Sequence, residues 1–199
     1  MPEGLHLWEV PMRVPASLLA LLTATTALTT ALTACAGPPA PVQSVKTTPD
    51  ETVTLNAAGE FGTDDTGAIA YDRKLAPEGA QASVTVESGG GQTRTSLVVE
   101  GLLPKRRYGA HLHAKPCGEQ PDDAGPHYQH HPGQVDSASE VWLDFTTDDE
   151  GAGRASARHE WVLDRAKLPA SLVIHAQPTT ISGARAGQAG PRIACLTLK

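Results

Sequence analysis

Seven of the eight histidines fall between residues 111 and 175. His111 and His113 stand two apart in a run, 108–114, that reads as a strand, so both imidazoles leave one face while Ala110, Leu112 and Ala114 leave the other. Two imidazoles side by side are a metal-binding arrangement, although the same spacing also describes a pair of surface histidines. His127 sits in the turn segment Ala124-Gly125-Pro126-His127-Tyr128, and His175 ends the apolar run Leu172-Val173-Ile174. One histidine at the end of an apolar strand is most often a hydrogen-bonded core residue. Four at strand and loop ends favour a ligand set, and an all-imidazole set suits copper or zinc rather than calcium or magnesium. His159, in a polar strand, reads as structural or solvated.

Such side chains need a frame. Short runs of period-two alternation bounded by turn residues recur at 81–88, 93–102, 108–114, 140–147, 153–163, 171–176 and 192–199, with one more strand expected within 53–71. Val141, Leu143 and Phe145 share a face before the turn Asp148-Asp149-Glu150-Gly151; only 163–168 hints at a helical turn. The pattern predicts an all-β sandwich or barrel. Composition agrees. Among 199 residues, 19 Gly and 16 Pro are too much punctuation for a helix bundle, and 40% hydrophobic content is too apolar for a disordered chain. A net charge of −6 leaves no basic footprint for nucleic acid.

The N-terminal part reads differently. Residues 14–34 carry no charge and follow Arg13, the only lysine or arginine among the first 45 residues. This is the pattern of an export signal, and Leu32-Thr33-Ala34-Cys35 resembles a bacterial lipobox, with cleavage leaving Cys35 as the lipid-bearing N-terminus. The stretch is long enough to span a bilayer, but its threonines and alanines make it a weak membrane helix. Glu3 and Glu9 ahead of the arginine are unusual for a signal peptide, so Met12 is a candidate start and 1–11 a mis-called one. The expected organisation is a signal peptide over 1–34, a Pro/Thr-rich tether over 35–51 and a β domain over 52–199, held on the outer face of the bacterial cytoplasmic membrane. Cys117 and Cys195 remain. In an exported chain they are expected to pair, the alternative being two free thiols. Closing a loop of nearly eighty residues would stabilise the fold by about 4 kcal/mol.

Taken in order, Gly109-Ala110-His111-Leu112-His113, Cys117, Ala124-Gly125-Pro126-His127-Tyr128, Val173-Ile174-His175-Ala176 and the closing run from Gly187 to Cys195 resemble the motifs of the copper/zinc superoxide dismutase family. The resemblance covers about 52–199 and implies an eight-stranded antiparallel Greek-key barrel of the immunoglobulin-like sandwich type. It implies His111, His113, His127 and His175 as copper ligands, with His127 bridging to zinc and donating a proton. It further implies Cys117–Cys195 as the disulfide and Arg192 as the residue that guides superoxide. The departures bear on zinc. Val141 falls where the family's zinc aspartate belongs, and Thr179 where the family keeps an aspartate linking the two metal sites. His130, His131, Asp136 and Glu140 could build a zinc site, but their spacing does not repeat the family pattern, and solvated loop histidines are the simpler reading. The segment after His175 is short and carries no acidic residue before Cys195. The pattern resembles copper-only members, with zinc not expected. Glu140 or Asp144 would then orient the second nitrogen of His127. The implied activity is copper-dependent dismutation of superoxide to oxygen and hydrogen peroxide, by a monomer or homodimer with no nucleic-acid partner. A copper-binding or buffering protein on the same fold is the alternative.

Overall fold

A computed structural model describes residues 52–63 and 66–199. The expected signal peptide, Cys35 and the tether lie outside the described residues. Among the described residues, nine strands form two antiparallel sheets. The first sheet runs, in spatial order, β1 (Val53–Glu60), β3 (Gln81–Gly89), β4 (Gln92–Glu100) and β7 (Gly153–His159). The second runs β2 (Ala68–Ala70), β9 (Arg192–Thr197), β8 (Ser171–His175), β5 (Arg107–His113) and β6 (Phe145–Thr146). Several connections cross from one sheet to the other, as in Greek-key sandwiches.

The first sheet follows its sequence pattern closely. Along β3 every second residue is buried, and the register Val84↔Leu97 and Ala82↔Val99 carries the apolar face across to β4. The hairpin between them turns on Gly90 and Gly91, with φ of 61° and 81°. Two consecutive positive φ values are what the tight turn between right-twisted strands demands, and glycine meets them without strain. Across the interior, Tyr108, Ala110 and Leu112 of β5, Leu172 and Ile174 of β8, and Ile193 and Leu196 of β9 complete one core.

Most of the second sheet is buried on both faces. The aligned row Ala68–Leu196–Leu172–Leu112 points into the core. The next row, Ile69–Cys195–Val173–His111, points the other way. There a smaller apolar cluster of Ile69, Val173, Cys195, Cys117 and Ala124 forms. It is closed by the loop after β5, which Cys117 pins to β9 through a disulfide with Cys195.

Two expectations change. Residues 53–71 hold two strands, β1 and β2, so the described residues carry nine. The run 140–147 keeps its alternation, but only Phe145–Thr146 is a regular ladder. Upstream, Trp142 bridges to His111, and Glu140 to Gln129. The edge therefore changes partners along its length. Short 3-10 helices at Pro121–Ala124 and Gly183–Arg185, unforeseen from sequence, lie in the loops that follow β5 and β8.

Candidate metal centre

β5 and β8 bring three histidines together on the outer face of the second sheet. His111 and His113 leave β5 on that face, and His175 sits across the ladder opposite Gly109. His127 arrives from the loop after β5, bridged to His113. One ring nitrogen from each of the four lies within 4.8 Å of the others. His111 and His113 are fully buried, at 0% exposure.

The outer nitrogens settle what the inner ones carry. His113 Nδ1 faces the Gly125 carbonyl at 3.0 Å, and His175 Nδ1 the Gly190 carbonyl at 3.1 Å. His127 Nδ1 lies 2.8 Å from Glu140 Oε2. His111 Nε2 lies 2.7 Å from the Thr179 hydroxyl. Carbonyls and carboxylates only accept, so those ring nitrogens donate and hold the hydrogen. The inner atoms, His113 Nε2, His175 Nε2 and His127 Nε2, are then lone pairs. His175 Nε2 and His113 Nε2 come within 3.4 Å of each other, and His127 Nε2 within 3.0 Å of His111 Nδ1. Lone pairs aimed at one another in a buried site repel unless a cation lies between them. Protons are poorly suited to three of the rings. Burial first, then the neighbouring imidazoles and Arg192, hold His111 well below its ordinary range. Burial and His127 lower His113 to about 2, and burial lowers His175 to about 4. Four imidazoles whose outer nitrogens are already engaged fit a copper-type ion.

Glu140 is the most enclosed acid near the site, at 1% exposure. Burial alone would raise its pKa, yet hydrogen bonds from His127, Gln129 and Trp142 hold it below the usual value. Gln129 Nε2 donates to Oε1 at 2.8 Å and Trp142 Nε1 to Oε2 at 2.8 Å. Neither donor was singled out from sequence. Both stand two residues from a recognised site residue, on the same face of an extended chain, and that was the available signal.

An open cleft of about 450 Å³ reaches the centre, lined in part by His127, His175, Glu140, Gln188 and Arg192. Arg192 sits at its edge, with Nη1 donating to the Pro121 carbonyl at 2.8 Å and Nη2 to Gly125 at 2.7 Å. The Gly125 carbonyl thus orients both the arginine and His113. The other sequence candidates make no direct hydrogen bond to the four rings. His130 stacks on Trp161 with centroids 4.4 Å apart, and His131 packs against His130. Asp136 caps its own turn through the Ala138 and Ser139 amides. Asp144 bonds to Thr179 rather than to His127. His159 Nε2 reaches the Ser137 and Glu140 carbonyls, which gives it a structural place. Among the described residues, only the four-histidine group has the geometry to hold a metal ion.

This fold, with a buried imidazole cluster on its outer sheet face beside an arginine, is that of a metal-binding β-sandwich. The chain belongs to the copper/zinc superoxide dismutase family (SODC), whose profile matches residues 80–197. Among solved structures, the Cu/Zn superoxide dismutase from Brucella abortus is similar with a TM-score of 0.51 at 18% identity, over 75% of this chain and 100% of that one. At that identity the likeness is one of fold. No curated protein matches the chain.

Proposed function

We propose that the protein is a copper-dependent superoxide dismutase of the cell envelope that works without zinc, held to the membrane by lipid on Cys35. The convergence of four imidazole lone pairs, each ring's outer nitrogen already engaged, carries this reading. Copper, when bound there, supplies a one-electron couple that two superoxide anions use in turn. The rest is the work of this chain. Arg192 provides a fixed positive charge at the cleft edge for a small anion, which matters because the chain as a whole is negative. His127 lines the cleft, and its Nε2 is the atom where a proton can be held for the peroxide product. Glu140, negative at His127 Nδ1, stabilises that imidazole while it carries the extra proton. The same contact supports the zinc-free reading, since it engages the nitrogen a bridge to a second metal would use. The lipobox ahead of Cys35 supports the anchor.

The test is superoxide decay by pulse radiolysis on protein loaded with copper alone, with metal counted on the same sample. Decay near the diffusion limit, with Glu140→Ala slower and weaker in copper, supports the reading. Full copper occupancy with decay no faster than that of a copper peptide makes the protein a copper-holding member of the family. Retention of Cys35→Ala in the membrane fraction would overturn the anchor.

A further inference from the structure

Residues 140–145 alternate between two duties. Val141, Leu143 and Phe145 enter the core. Glu140 and Asp144 reach the histidine cluster by different routes. Glu140 bonds His127 directly; Asp144 acts through a third residue. The Thr179 amide donates to Asp144 Oδ2 at 2.6 Å, and the Thr179 hydroxyl donates to Asp144 Oδ1. A hydroxyl has one hydrogen, so toward His111 Nε2, 2.7 Å away, Thr179 Oγ1 only accepts. His111 therefore holds its hydrogen on Nε2 and turns Nδ1 inward, whereas the other three rings turn Nε2 inward.

The packing makes room for this contact. A Cβ at Gly109, two residues before His111 on the same face, would lie 3.1 Å from Thr179 Oγ1 and 2.8 Å from the Gln177 carbonyl. The Gly109 amide donates to that carbonyl at 2.8 Å. A side-chain-free position on β5 thus lets the segment after β8 close over the strand and bring the threonine to the ring.

The geometry points to Thr179 as a positioning residue for the metal centre: its hydroxyl, held by Asp144, locks His111 in the tautomer that presents Nδ1 to the ion. The inference rests on reading the four histidines as a metal site. It assigns Asp144 to His111, and so gives the two ends of the cluster a carboxylate each.

Histidine-selective 15N labelling of the full chain tests it. In metal-free protein, His111 shows the Nε2–H tautomer. Thr179→Val, close in shape but without the hydroxyl, loses that pattern and weakens copper by about 10- to 100-fold in chelator competition. Thr179→Ser restores both to within about threefold. Asp144→Asn, which leaves the threonine in place, shifts the same His111 resonances and serves if Thr179→Val does not fold. Unchanged His111 tautomer in Thr179→Val, or unchanged His111 resonances in Asp144→Asn where the first variant is unfolded, overturns the inference. The tautomer is read without metal, so a protein that failed to take copper would overturn the metal reading and leave the positioning result to be judged separately.

Discussion

The two sheets solve the same packing problem in different ways. Each strand of the first sheet presents one face to the core and one to water, and β3 and β4 alternate almost without exception. The inner strands of the second sheet are buried on both faces, with no exposed residue in β8. Its outer face exchanges contact with water for a disulfide, a small apolar cluster and four imidazoles. A one-sided sheet supplies stability. A two-sided one supplies a dry surface on which polar groups can be held at fixed distances, because everything around them is already packed.

If that division of labour holds, variants in the two sheets should fail differently. The largest effect is expected for His111→Ala on β5. Copper affinity should fall by more than the roughly 100-fold that loss of an outer partner costs, and superoxide decay should drop to background. Ser96→Ala, on the exposed face of β4, should match the wild type in both assays. Next is the disulfide. Replacing Cys117 and Cys195 by serine should lower unfolding free energy by about 4 kcal/mol in urea titrations, and should loosen copper as well, because the tethered loop carries the Gly125 carbonyl that orients His113 and Arg192. Leu97→Ala, in the interior face of the first sheet, should cost about 3 kcal/mol and leave the Cu(II) spectrum unchanged. A changed spectrum there would mean that the two sheets are not separable.

Acid supplies the gentlest probe. His111, His113 and His175 bind protons in the fold only far below the ordinary histidine range, the last two at about 2 and about 4. From about pH 6.5 down to about 4 the unfolded chain therefore binds more protons than the folded one. Metal-free protein should lose stability as pH falls through that window, by up to about 1.4 kcal/mol per pH unit for each group. Copper should hold the loss off to lower pH, since it binds only deprotonated rings. Thermal melts at stepped pH, with and without copper, check the sign and the displacement.

The first sheet was legible in the sequence because one face meets water, so polarity marks every second residue. The shared face of His111 and His113 was legible for a different reason: both faces of that strand are buried, but two residues apart on an extended chain always share a side. The edge at 140–147 was legible in its faces but not in its partners: alternation tells which side a residue takes, not which strand it meets. That is why Asp144 could be placed near the site and yet be given to His127. Its observed partner is Thr179, which arrives from a segment 35 residues further along. The split of 53–71 into two strands escaped notice because β2 is three residues long and buried throughout, leaving no period to read.

Edges are where sheets usually tolerate sliding, since a slipped strand there meets little resistance. The alternating edge of residues 140–145 removes that tolerance. A shift of one residue would turn Val141 and Leu143 toward the histidines and drive Glu140 and Asp144 into the apolar interior. Two carboxylates without partners in that core would cost several kcal/mol each. The residues beside the histidine cluster thereby also bear on folding: a misregistered edge is disfavoured, and the register that fills the core is the one that brings Glu140 to His127.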